Sequence, residues 1–257
     1  MTLEQPVLLT EQIGPVCLLT LNRPQKLNSF STELLQALND ALARAAGDDA
    51  IQVIVLTGAG DKAFASGNDV SRLARLDGMQ AYRDMVDGQR LLMQLHESRK
   101  PTIAMVNGYA LGGGFELALA CDFIVASSRA VFGFPEIRLN TMPGWGGTQL
   151  AVMKMGLTHA KEMVLSGRYL PVDECRHFGF INRVCEPEQL RDEALAFAQG
   201  FTGHHPFAIE MAKRSLHRAC EMPLAAGLEF EAASYTANFG TPHARAGLDD
   251  FLNRGKK

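Results

Sequence analysis

The sequence predicts an α/β core followed by an all-helical C-terminal region. Two observations carry that expectation. Up to about residue 187, short β-prone apolar runs alternate with stretches of helical periodicity, the order that parallel crossover connections require. Beyond that point helical patterns occur alone. A third observation sets the scale: 257 residues, 47% hydrophobic and 21% charged, can bury a sizeable core without disulfide or metal support.

Residues 7–10 and 16–22 are β-prone runs joined through Ile13-Gly14-Pro15, which reads as a hairpin or an abrupt bend. Ser31 then precedes Leu34, Leu35, Leu38 and Leu42 at helical spacing, so it should N-cap an amphipathic helix ending near Gly47. Residues 52–57 (QVIVLT) form a buried strand, 58–71 a loop, 80–97 a helix, and 102–106 (TIAMV) the next strand. A small helix over 115–120 and short strands at 122–126 and 130–132 follow. The last helices are placed at 188–201, 206–220, 223–239 and 243–252. With no repeat or long linker, the division is a core over 1–200 and a helical region over 201–257 that packs on the core or on a neighbouring subunit.

Several function classes are disfavoured. A formal net charge of -3 with no long basic run leaves no electrostatic footprint for nucleic acid or an anionic membrane. Cys17, Cys121, Cys175, Cys185 and Cys220 are an odd set without CxxC spacing, which points to buried free thiols in a reducing compartment and to no metal site. The first residues lack a basic stretch followed by an apolar one, and no apolar run approaches the roughly 20 residues that span a bilayer. A cytoplasmic protein, or the mature form of an organellar one, is expected.

Gly58-Ala59-Gly60-Asp61-Lys62-Ala63 mimics the dinucleotide fingerprint GxGxxA, but no helix opens at its glycines and Gly67 and Asn68 continue the loop. Gly112-Gly113-Gly114, after the strand TIAMV and before a helix, is the stronger feature. Such glycines let a ligand approach the backbone closely, and the helix start offers free N–H groups at the positive end of a dipole. A second small-residue loop, AFASGND (residues 63–69), follows the neighbouring strand and can present another N–H from the opposite side. Two convergent donors make an oxyanion hole, each typically worth about 2.7–4 kcal/mol in a transition state.

The set NRPxxLN (22–28), AFASGND, KPTIAMVNGYALGGGFELALACD (100–122), FGFPEI (132–137) and PGWGGTQ (143–149) resembles the crotonase superfamily, and within it the enoyl-CoA hydratases. The likeness runs in order from about residue 7 to 251. It implies a spiral of repeated ββα units, with C-terminal helices that form trimers or hexamers. It also implies an acyl-CoA substrate, with CoA part of that substrate and no other cofactor.

By position, the resemblance gives the oxyanion donors as the backbone N–H groups of Asn68 and Gly113. It gives Glu116 as the base that activates water and Glu136 as the acid that protonates the α carbon. Two carboxyl groups can perform both transfers, each contributing about 10²–10⁴-fold. Lys26, Ala65, Asn68 and Gly113 would contact the CoA thioester, with Arg23 a weaker candidate than Lys26, and Phe251 and Arg254 would reach a neighbouring subunit's nucleotide. Trp145, with Phe115 and Phe134, would shape the acyl pocket.

Two positions depart from the family pattern. Position 68 more often carries an apolar residue, although a backbone donor survives any side chain. Position 145 is usually small. Enoyl-CoA isomerases of the superfamily place a single acid near 143–145, whereas no acid lies between Leu139 and Thr148 here. An RNA-binding relative uses a lysine-rich helix where residues 33–49 hold only Arg44 as a basic residue, too little charge for phosphate neutralisation.

Overall fold

The computed structural model describes residues 5–254. Its chain divides into two compact units, Met1–Phe201 and Thr202–Lys257.

The first unit holds two sheets. The larger has the order β1 (Leu8–Ile13), β2 (Val16–Leu21), β3 (Val53–Gly58), β5 (Thr102–Val106), β7 (Phe123–Ser127) and β10 (Arg183–Cys185). Its β1–β2 hairpin is antiparallel and turns at Gly14, where φ is +56°, with Ile13 opposite Val16; every other pairing in it is parallel. The smaller sheet has the order β4 (Ala63–Ala65), β6 (Tyr109–Leu111), β8 (Val131–Gly133) and β9 (Leu170–Pro171).

Helix α1 (Thr32–Gly47) joins β2 to β3. Three times thereafter a strand of the larger sheet is followed by a three-residue strand of the smaller sheet and then by helix. The pair β3–β4 leads to α2 (Val70–Leu73) and α3 (Gly78–His96), β5–β6 to α4 (Gly113–Ala120), and β7–β8 through a 3-10 turn to α5 (Gly147–Ser166). This is the ββα spiral that the crotonase resemblance implies. Helices α6 (Val172–Cys175) and α7 (Leu190–Gln199) complete the unit.

The buried strands read as continuous apolar runs because both faces of the sheet are covered. Ile54 and Leu56 enter the core shared with Leu34, Leu38, Leu91 and Leu95, while Val53 and Val55 enter one with Leu190 and Ala194 of α7. Alternation by two thus divides β3 between two cores. Local signals set the helix starts: Ser31 Oγ accepts from Leu34 N at 3.3 Å, and Asp77 and Gln80 cap each other at 2.8 and 2.9 Å.

Some elements escape sequence reasoning. Strands β4 and β6, three residues each, are too short to display alternation and lie where loop composition dominates. Helix α5 is broken at Gly156 (φ +76°), which separates buried Leu150, Ala151 and Met155 from Ala160 and Met163. That break hides its periodicity.

The second unit contains α8 (Pro206–Glu221), α9 (Leu224–Phe239) and α10 (Pro242–Arg254). Helix α8 starts at Pro206, with His205 Nδ1 accepting from Phe207 N at 3.3 Å. Among its described side chains only Ser234 is buried, while Leu216, Leu224 and Phe251 are 72, 78 and 75% exposed. The side chain of Arg254 lies outside the described residues. Among the described residues no helix is long and apolar enough to cross a membrane.

Candidate active site

Two asparagine side chains shape the turn that resembles a dinucleotide fingerprint. Asn107 Nδ2 donates to the carbonyls of Gly58 and Gly60 at 3.0 and 2.8 Å, and Asn28 Nδ2 to those of Ala59 and Ala63 at 3.1 and 2.8 Å. The carbonyls are consumed and the chain turns into β4 instead of a helix.

Beyond β4, Gly67 adopts φ +88°, and its carbonyl accepts from Phe30 N at 2.9 Å. Asp69 N donates to Phe30 O at 3.4 Å, making Phe30 and Asn68 a parallel bridge. In such a bridge the N–H of the central residue points away from the partner chain, so the Asn68 N–H faces outward from Phe30. Gly67 also abuts the glycine turn: a Cβ there would meet Leu111 O at 3.0 Å and Gly113 N at 3.1 Å. Gly113 opens α4 after Gly112 (φ +52°), so its N–H has no acceptor within the helix. The outward N–H at 68 and the free N–H at 113 can hold an oxyanion together.

Glu116 follows Gly113 by three residues, close to one helical turn, and therefore lies on the same face of α4. It is 2% exposed. Its Oε1 accepts from Trp145 N at 2.9 Å and Gly147 N at 2.7 Å. Burial pushes its pKa up to about 7, against the lowering effect of those backbone donors. Gly147 has to be glycine, because a Cβ there would lie 2.9 Å from the Glu116 carboxylate and 2.7 Å from Phe134.

Glu136 is the second residue of the 3-10 turn Pro135–Leu139, with Oε1 against Gly112, where a Cβ would come within 2.8 Å. Its Oε2 is buried without a hydrogen-bond partner. Burial pushes this carboxyl up to about 7 as well; a backbone N–H opposes the rise and the charge of Glu116 adds to it. Two carboxyls near one cavity with elevated pKa values behave as a coupled pair. Glu116 accepts two short bonds from neighbouring backbone N–H groups, which favour its ionised form.

Asn68, Gly113, Glu116, Glu136 and Trp145 line one cavity of about 550 Å³, walled further by Leu73, Leu76, Met85, Leu139 and Met142. Trp145, 1% exposed, packs at a tilt of 35° on Phe30 with centroids 5.1 Å apart. Its Cε3 lies 3.5 Å from where a Cβ of Gly113 would be, and a Cβ on Gly88 would fall 2.2 Å from its Nε1. The ring therefore bridges the glycine turn and α3.

The structure separates the other candidates from this lining. Phe115 and Phe134 are fully buried and pack on each other at 4.8 Å, with Phe115 also against Phe132 and Phe180. They are core residues: Phe115 is one residue from Glu116, which on a helix turns it about 100° away from the cavity. Ala65 is also fully buried, with its carbonyl 2.1 Å from where a Cβ of Gly114 would lie. Lys26 is exposed on the turn Pro24–Lys26, next to a separate depression of about 210 Å³ lined by Pro24, Leu27, Asn28 and Ala59 to Ala63. A network that sequence reasoning missed borders the cavity: Arg72 of α2 pairs with Asp84 of α3 and donates to Asn68 Oδ1 at 3.3 Å. These residues belong to different elements, and no spacing signals their contact.

Comparison with known proteins agrees with this architecture. The family model described as "Enoyl-CoA hydratase/isomerase" matches residues 11–257. The chain belongs to that family. A probable enoyl-CoA hydratase of Rhizobium meliloti is 40% identical over 97% of this chain and 96% of its own length. The 2,3-dehydroadipyl-CoA hydratase of Escherichia coli is 39% identical over 93% of this chain and 92% of its own. The crystal structure of the Bacillus anthracis enoyl-CoA hydratase superposes with a TM-score of 0.92 at 31% identity, covering 96% of each chain. The spiral described above is the fold of the family.

Proposed function

We propose that this protein is an enoyl-CoA hydratase that adds water reversibly across the 2,3 double bond of an enoyl-CoA thioester. The observation that carries the proposal is the pair of carboxyls, buried Glu116 and half-buried Glu136, lining the same cavity as two outward backbone N–H groups. Family membership supports it, as do relatives that bear the hydratase name.

The thioester carbonyl accepts from Asn68 N–H and Gly113 N–H. Ionised Glu116 takes a proton from water as its oxygen bonds to the β carbon, and the π electrons move onto the carbonyl oxygen. The two N–H donors stabilise the resulting enolate. Glu136 then gives its proton to the α carbon, and transfer from Glu116 back to Glu136 restores the pair. Backbone donors favour the charged form of Glu116 against its burial, while the unpartnered Oε2 of Glu136 suits a neutral acid.

CoA arrives with the substrate, so the chemistry calls for no separate cofactor. The depression beside Lys26 is the proposed seat of the nucleotide end. Exposed Leu216, Leu224, Leu228 and Leu248 in the second unit suit assembly into a homotrimer or a hexamer. A cytoplasmic location agrees with free cysteines, three of them buried.

The test is loss of the conjugated-thioester absorbance of crotonyl-CoA, with Glu116→Gln and Glu136→Gln in parallel. Rapid loss with wild type alone supports hydration. A wild-type protein that binds CoA thioesters yet leaves both crotonyl-CoA and longer enoyl-CoA unchanged overturns it.

A further inference from the structure

Helix α2, which follows Asn68, has four residues, none of them buried. So short a helix cannot sustain itself, and the one partly buried apolar residue of α2 is Leu73. Side-chain bonds add to the backbone bridge between Phe30 and Asn68 in holding the helix. Arg72 Nη1 bonds Asp84 Oδ1, while Nη2 reaches Asp84 Oδ2 at 3.1 Å and Asn68 Oδ1 at 3.3 Å. The ion pair is 25 and 11% exposed, sheltered enough to escape most salt screening. Since a guanidinium only donates, the Asn68 atom facing it must be the amide oxygen.

We propose that Arg72 is a positioning residue for the oxyanion hole: anchored by Asp84 on α3, it fixes the Asn68 peptide through that residue's side-chain amide. This rests on the proposal that Asn68 N–H binds the thioester carbonyl. It also gives the polar residue at position 68 a use. Facing a carboxylate and an amide at once requires a rigid fork with several donors, which arginine has and lysine lacks. An oxyanion donor displaced by about 1 Å can cost up to about 10²-fold in rate, so a clasp on its peptide acts on turnover more than on binding.

The experiment measures kcat and KM for crotonyl-CoA in wild type, Asn68→Ala, Arg72→Met and the double variant. Alongside, isotope-edited infrared spectra record the carbonyl stretch of bound butyryl-CoA, a saturated thioester that cannot be hydrated. Each single change should lower kcat about tenfold with KM altered less than about twofold, and the double variant should be no worse than either single one. The carbonyl stretch should move back toward its free value by the same amount in all three. Losses that multiply in the double variant, or a stretch unchanged from wild type, would overturn the proposal. Asn68→Ala leaves the Arg72–Asp84 pair intact, so it decides the matter even if Arg72→Met fails to fold. A wild type that shifts the carbonyl stretch without hydrating crotonyl-CoA would remove the hydratase function and leave the clasp standing.

Discussion

Two residues that line the cavity, Gly113 and Asn68, are held by different means. On the α4 side every residue from Gly113 to Ala120 is buried, and position is set by backbone packed on backbone, with glycines where a methyl group would not fit. On the α2 side no residue of the helix is buried: the Asn68 backbone keeps its bridge to Phe30, while its side chain is tied through Arg72 to Asp84 of α3. One half of the site is thus determined by what is missing from the sequence, the other by what is present. Substitutions that add atoms should damage the first half, and those that remove atoms the second.

The largest effect is expected at the carboxyl on the buried side. Glu116→Gln keeps the volume but removes the base, and should lower kcat for crotonyl-CoA by about 10³-fold, read from the absorbance assay, with folding retained. A residual rate within tenfold of wild type would shift the work to Glu136. Next comes Gly114→Ala, whose Cβ would sit 2.1 Å from the Ala65 carbonyl oxygen. Thermal or denaturant unfolding should show a loss of about 1–3 kcal/mol, because neither backbone can yield cheaply.

The third prediction concerns pH. Glu136 has a folded pKa of about 7, above the ordinary glutamate value of 4.5, so the folded state holds more protons between those values. Its stabilising contribution is complete below about pH 4.5 and is lost as pH rises through about 7. Glu136→Gln should therefore raise stability relative to wild type by about 1–3 kcal/mol at pH 8.5 and by little at pH 5, measured by urea unfolding at both. Activity, which needs one carboxyl ionised and the other protonated, should peak near neutrality and fall on both sides. The smallest effect is expected at Gly78, in the first turn of α3, where a Cβ meets nothing within 4 Å. Gly78→Ala should stabilise by about 0.4–1 kcal/mol without changing kcat.

The same contrast explains what was legible in the sequence. The glycine-rich turn, the helix it opens and Glu116 upon it form one contiguous stretch, so periodicity and residue type point to them together. The six-strand sheet was visible where its strands are long and apolar, as at QVIVLT and TIAMV. Strands β4 and β6 were not, because three residues set in loop-like composition carry no period. Phe115 and Phe134 illustrate the opposite hazard: neighbours of the site in sequence, they pack in the core in space, Phe115 because one residue along a helix turns a side chain by about 100°. The Arg72–Asp84–Asn68 network joins two helices, and nothing in either segment indicates that they meet.

Trp145 and Gly88 share a single volume: the indole nitrogen lies 2.2 Å from where a side chain at 88 would begin. Neither position can therefore drift independently. A lineage that enlarges this cavity by shrinking the indole leaves position 88 free to accept a side chain, and once one is accepted the return of tryptophan is blocked. The order of the two replacements is constrained, with the ring leaving first, and the pair should vary together among relatives that differ in acyl size.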